Sequence, residues 1–103
     1  MPRLEKSIER DFKDEVDLLG LLIIKLNIFG FVGMPDRLVI GPNRYVVFFE
    51  FKRPKMGELS EMQKRRHRTL RKFGFEVYCP TSKEEALEQL FKSANEYYIK
   101  KRS

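Results

Sequence analysis

Tyr45-Val46-Val47-Phe48-Phe49-Glu50-Phe51-Lys52 is the stretch on which the fold of this chain turns. Successive residues of a strand face opposite sides of its sheet, so Tyr45, Val47, Phe49 and Phe51 form one unbroken apolar face. The other face opens with Val46 and Phe48 and then changes to Glu50 and Lys52. A carboxylate and an ammonium are thereby set side by side, their Cα atoms roughly 6.6 Å apart, at the end of an otherwise buried strand. Charges in such a place are costly unless a partner or a metal compensates them.

Immediately before this strand, Arg37-Leu38-Val39-Ile40 and the turn formers of Gly41-Pro42-Asn43-Arg44 predict a β-hairpin. Pro35-Asp36 precedes the first hairpin strand, and antiparallel pairing brings the start of one strand beside the end of the other. Asp36 is therefore expected to approach Glu50. Two carboxylates brought together repel and raise each other's proton affinity, and a hard divalent cation between them relieves the conflict. The plainer alternative is an edge-exposed Glu50–Lys52 pair with Asp36 as a turn residue.

Further out, Leu4, Ile8, Phe12, Val16 and Leu19 recur at helical spacing and predict an amphipathic helix that Gly20 stops. Leu21 to Leu26 reads as a buried strand. Asn27 to Met34, holding Gly30 and Gly33, reads as a loop carrying exposed Ile28, Phe29 and Phe31. After Pro54 and Gly57, Ser60-Glu61-Met62-Gln63 has capping-box spacing ahead of a helix to about Phe73. Phe75 to Tyr78 alternates as another strand. Ser82 to Glu85 is a second capping box, before a helix whose apolar face is Ala86, Leu87, Leu90, Phe91 and Ala94. The basic tail from Ile99 to Ser103 is expected to fray. This order of elements predicts an α/β sandwich around a mixed sheet.

The 103 residues suit one domain, with a core of about residues 4–95. Twenty-one basic against fifteen acidic residues give +6 at pH 7, which suits a polyanionic partner such as nucleic acid. With one cysteine, Cys79, and one histidine, His67, the chain cannot form an internal disulfide or a Cys/His structural zinc site. Two-histidine nuclease and Cys-His protease chemistry are excluded on the same count. The longest apolar run, Leu18 to Ile24, is far short of a membrane span of roughly 20 residues. With no apolar signal segment at the start, a cytoplasmic protein without membrane attachment is expected.

Gly33-Met34-Pro35-Asp36-Arg37-Leu38, then Phe49-Glu50-Phe51-Lys52-Arg53-Pro54, then Leu59-Ser60 before Gln63, then Leu70 and Gly74 ahead of the Val77 strand, form a longer pattern. It resembles the VRR-NUC branch of the PD-(D/E)xK nuclease superfamily, in its stand-alone phage and bacterial form, over about Leu4 to Leu90. The resemblance implies a restriction-endonuclease-like three-layer sandwich and a divalent-metal-dependent DNA endonuclease in a bacterial or phage-infected cell. It further implies that Asp36, Glu50 and the backbone carbonyl of Phe51 bind Mg2+ or Mn2+, with no small-molecule cofactor, and that Lys52 activates water and offsets phosphate charge. A glutamate of the first helix joins them in the family; Glu5 fits that place best, and Glu9, one turn on, is the alternative. Gln63 would reach the edge of the site, its other role being the capping box. Branched DNA such as a Holliday junction is the substrate that the resemblance implies.

Lys25, Arg37, Arg53 and Lys55 are candidate phosphate contacts, as are Lys64, Arg65 and Arg68 on the Arg-rich helix, whose bland role is a solvated face. His67, within that helix, reads as a surface residue, Cys79 as a small buried side chain, and Tyr97-Tyr98 as helix-end packing. A homodimer is expected, because a four-way junction needs two cuts and Ile28, Phe29, Phe31 and Val32 offer an apolar patch. The competing functional classes are a catalytically silent binder of structured DNA and a protein-interaction module.

Overall fold

The apolar stripe at the start of the chain folds as helix α1 (Glu5–Leu18), and Ile8, Phe12 and Val16 point from it into the core. The structure is a computed structural model that describes residues 5–52 and 58–102, and the side chains of residues 7–52 and 58–100. Leu19, the last member of the stripe, lies past the helix end and is exposed, because the chain turns away at Gly20.

Next come β1 (Leu22–Lys25), β2 (Arg37–Gly41) and β3 (Tyr45–Phe49), then α2 (Glu61–Lys72), β4 (Glu76–Tyr78) and α3 (Lys83–Arg102). The strands make one sheet in the order β1-β2-β3-β4, with the first two pairings antiparallel and the last parallel. The hairpin closes through Asn43 and Arg44, both at positive φ, with Tyr45 N bonded to Pro42 O at 3.4 Å. That is the turn whose twist matches paired strands.

Alternation sorts the two faces of the sheet. Val39, Tyr45, Val47, Phe49 and Phe51 pack with α1 and with Ala86 and Leu90 of α3, and Phe12 sits against the rings of Phe49 and Phe51. The opposite face, carrying Phe48 and Glu50, is covered by α2 through His67. Helices on both faces of a mixed sheet make the three-layer sandwich that the sequence implied.

Three boundaries differ from the sequence expectation. The β3 ladder ends at Phe49 rather than Lys52. Beyond that point only the β4 side still pairs, with Glu50 N bonded to Tyr78 O at 2.8 Å and Lys52 N to Pro80 O at 3.0 Å. The alternation nevertheless continues, so Phe51 stays in the core. Strand β1 is not buried: Leu22 and Ile24 are exposed, because β1 is a sheet edge and α2 packs over β4, whereas Leu21 and Ile23 reach the core on the α1 side. The C-terminal tail does not fray before Arg102. The hydroxyls of Tyr97 and Tyr98 hold α3 to the hairpin turn through the carbonyls of Asn43 and Pro42.

Candidate functional site

The hairpin register decides what meets at the open end of β2 and β3. Arg37 pairs with Phe49, so Asp36, just before β2, and Glu50, just after β3, come to the same end of the sheet, each one residue beyond the last pair. The Asp36 carbonyl accepts from Leu26 N at 2.7 Å, which extends the β1–β2 pairing to this point and fixes the backbone beneath the carboxylate. The ladder thus brings Asp36 and Glu50 to the same end of the sheet.

Glu50 is 3% exposed. Its Oε2 lies 4.0 Å from Lys52 Nζ, and its Oε1 lies 3.9 Å from His67 Nε2. A carboxylate this deep is stabilised by the positive charge and dipoles around it, since bulk water is not available to it. The Glu50–Lys52 pair is accordingly not an exposed edge pair: the Lys52 side chain is only 16% exposed. Lys52 Nζ also donates to Gln63 Oε1 at 3.4 Å. That oxygen simultaneously accepts from Ser60 N, while Ser60 Oγ accepts from Gln63 N. The two roles considered for Gln63, capping and facing the site, are carried by one atom.

His67 is the residue that sequence reasoning misplaced. It is fully buried in α2 rather than on the surface, and burial together with the nearby charges of Arg71 and Lys52 pushes its pKa below the ordinary value, against an opposing pull from Asp36. The imidazole is neutral as a result. Its Nδ1 faces Cys79 Sγ at 3.8 Å, and burial pushes the Cys79 thiol up, so the sulfur stays protonated. A signal was present in the sequence. His67 lies four residues beyond Gln63, so a helix that turns Gln63 toward the strand ends turns His67 there too.

The loop before Asp36 is clamped to α2. Arg66 lies over the Phe31 ring, 3.9 Å from its centroid, and donates from Nε to Val32 O at 3.2 Å. Gly33, at φ +93°, touches the helix so closely that a Cβ would sit 2.8 Å from Met62 O and from side-chain carbons of Met62 and Arg66. Only glycine meets both demands. This contact delivers Pro35, which is fully buried, and then Asp36 to the end of the sheet.

The remaining candidates fall in different places. Glu9 lies 3.6 Å from Arg37 Nε, with both side chains mostly buried on the α1 face of the sheet. Most of the Arg37 guanidinium is therefore turned inward rather than presented to solvent. Glu5 begins α1, but its side chain lies outside the described residues, as do Arg53 and Lys55 altogether. Lys25, Lys64, Arg65 and Arg68 are exposed, with Lys64 3.5 Å from Glu61. Among the described residues no group of three or more His, Cys, Asp or Glu is gathered as a ready metal cluster, and no helix is long and apolar enough to cross a membrane.

A scan of protein-family models gives no match, and a search of curated proteins gives none either. Among solved structures, the chain is similar to a VRR-NUC domain at 30% sequence identity with a TM-score of 0.75; the match covers 85% of this chain and 94% of that one. Shared sequence at that level, across nearly the whole of both chains and on the same fold, shows common membership rather than a common architecture alone. The chain, with its Asp36, Glu50 and Lys52 gathered at the end of the central hairpin, belongs to the VRR-NUC family of nuclease domains.

Proposed function

We propose that this domain is a divalent-metal-dependent endonuclease acting on branched DNA. The observation that carries the reading is the buried Glu50 carboxylate beside the Lys52 ammonium, with Asp36 at the same end of the hairpin, next to the Arg37–Phe49 pair. The donor set fits a hard cation: two carboxylates and the adjacent Phe51 carbonyl are oxygen ligands of the kind that Mg2+ and Mn2+ select. A divalent ion held there supplies charge neutralisation at a phosphodiester and a water acidic enough to attack it near neutral pH.

The chain's own residues do the rest. Asp36 and Glu50 fix the position of the reacting phosphate by holding the ion's side of the site. Lys52, oriented by Gln63 Oε1, keeps a positive charge where negative charge grows on the phosphate oxygens. The exposed Lys64, Arg65 and Arg68 on α2 and Lys25 on β1 supply sequence-independent attraction for the DNA backbone, in keeping with the net charge of +6.

Two cuts on a symmetric four-way junction call for two sites, and the domain provides one. A second copy fits the uncovered apolar surface of Leu22, Ile24, Ile28 and Phe29, the last of these fully exposed at its loop tip. Sedimentation equilibrium checks this directly: a mass near twice 12.3 kDa is expected, and a mass near 12.3 kDa removes the dimer.

The activity is tested by incubating the protein with four-way junction, flap, hairpin and linear duplex DNA in Mg2+, Mn2+ or chelator. Cleavage of the junction in either metal, absent with chelator, is the expected result. Binding of the junction without cleavage in any metal would make the domain a silent binder of structured DNA, and no retention of DNA even at low salt would point to a protein-interaction module.

A further inference from the structure

We infer that His67 is a positioning residue for Glu50, its Nε2–H aimed at Oε1 so that the carboxylate is held in the orientation the metal requires. The inference rests on the metal-site reading of Glu50 given above and deepens it. Three observations carry it. First, His67 is the one fully buried residue of α2, and its Nε2 has no hydrogen-bond partner among the described residues. A buried ring nitrogen without a partner is a strained arrangement that packing alone has no reason to maintain. Second, the nearest acidic atom is Glu50 Oε1 at 3.9 Å, about an ångström beyond a formed hydrogen bond and close enough for a small side-chain rotation to close it.

Third, the opposite ring nitrogen is occupied. Cys79 Sγ lies 3.8 Å from Nδ1, and with its S–H as the donor to that nitrogen the ring proton sits on Nε2, facing Glu50. The other tautomer would turn a nitrogen lone pair toward a carboxylate oxygen, and like charge density would meet. Outer partners of this kind set the orientation of a metal-binding carboxylate, and their loss typically weakens metal binding or activity 10–100-fold. His67 touches neither substrate nor ion in this arrangement; it acts through Glu50.

His67 is the chain's one histidine, so a long-range proton–nitrogen NMR spectrum of the untagged, metal-free protein reports its tautomer without assignment ambiguity. The expected spectrum has the proton on Nε2; a proton on Nδ1 overturns the inference. The second measurement is calorimetric titration of Mn2+, without DNA, into wild type, Glu50→Gln, His67→Phe and His67→Gln, each first shown to melt cooperatively. His67→Phe is expected to weaken Mn2+ binding about 10–100-fold, and His67→Gln, which restores an N–H near the Nε2 position, to recover most of that loss. Wild-type affinity in a folded His67→Phe, with binding lost in Glu50→Gln, overturns the role of His67 and leaves the metal site standing. Equal binding by wild type and Glu50→Gln removes the metal site itself and the inference with it. If His67→Phe does not fold, the tautomer and the His67→Gln titration decide: a folded His67→Gln that has lost Mn2+ binding as fully as Glu50→Gln contradicts an N–H contact as the cause.

Discussion

Gln63 gives Lys52 the same side-chain oxygen that caps its own helix: Oε1 accepts from Ser60 N at 2.9 Å and from Lys52 Nζ at 3.4 Å. The start of α2 and the ammonium of the candidate site are therefore linked through one atom. Gln63→Ala should lower stability by about 1 kcal/mol through the lost capping box and also reduce cleavage. Gln63→Glu keeps the cap and adds a charge favourable at a helix N-terminus, so its melting temperature should hold, while its carboxylate pairs with Lys52 and slows cleavage about tenfold, roughly 1.4 kcal/mol. Thermal melts and single-turnover cleavage separate the two roles; a Gln63→Ala protein unchanged in both would show that this oxygen serves neither.

Gly33→Ala should be among the most damaging small substitutions in the chain. The added Cβ meets Met62 O at 2.8 Å, a backbone atom that cannot move aside as a flexible side chain does, and the residue keeps a φ of +93° that alanine disfavours. A loss of about 1–3 kcal/mol is expected, or a displaced loop that carries Asp36 with it and lowers cleavage at little change in melting temperature. Arg66→Ala, which removes the stacking on Phe31 but leaves the backbone approach intact, should be milder. A Gly33→Ala protein with wild-type stability and wild-type cleavage would refute the clamp.

The buried hydroxyls on the far side of the sheet make stability fall at high pH. Tyr45, bonded to Ser93 Oγ at 2.7 Å, has its pKa pushed up to about 12 by burial, and Tyr78, partly buried and bonded to Glu76, moves in the same direction. Below pH 10 both are neutral whether folded or unfolded, and they contribute no pH dependence. Above it the unfolded chain releases protons that the folded protein keeps, so stability declines from about pH 10 to about pH 12 at up to about 1.4 kcal/mol per pH unit for each tyrosine. Tyr45→Phe, which also loses about 1 kcal/mol with its hydrogen bond, should flatten that decline. Denaturant melts from pH 8 to 11.5 test it, and a Tyr45→Phe protein that keeps the wild-type slope would rule out Tyr45 as a source.

Lys52→Ala should damage cleavage far more than binding. One ammonium among many basic groups adds little to affinity, but placed at a reacting phosphate it is worth on the order of 100–1,000-fold in rate. Junction binding measured in Ca2+ beside cleavage measured in Mg2+ gives the comparison. Equal losses in both would make Lys52 an ordinary phosphate contact.

Much of this was legible in the residues because burial writes periodicity. The stripe of Ile8, Phe12 and Val16 and the alternation of Tyr45, Val47, Phe49 and Phe51 predicted the two halves of the core, and each of those side chains is buried. Capping chemistry placed α2 to within a residue at its start. Where the reading failed, the missing information was tertiary. An apolar run such as Leu22 to Ile24 looks the same at a sheet edge as in its centre, because only the placement of α2 over β4 leaves one face of β1 bare. The end of β3 depended on where its neighbours stop pairing, which no property of Glu50 or Lys52 encodes.

At the candidate site, the arrival of Asp36 and Glu50 at one end of the sheet followed from hairpin arithmetic, since two strands joined by a short turn have their register fixed by it. His67 was hidden for the opposite reason: its basic neighbours in sequence are exposed, and charge density along a helix says nothing about the one face that is covered. The exposure of Ile28, Phe29 and Phe31 was readable from their place in a Gly-containing loop, whereas the contacts of Phe31 and Val32 with Arg66 of α2 were not.

The most direct measurement is four-way-junction cleavage by wild type, Asp36→Asn and Glu50→Gln in Mg2+ and Mn2+, with circular dichroism on the same samples. Both substitutions preserve side-chain size and remove the charge that would hold the ion. The account predicts native spectra, retained junction binding and cleavage reduced by at least about 100-fold in either variant. A folded Asp36→Asn, Glu50→Gln double variant that cuts at the wild-type rate would contradict it.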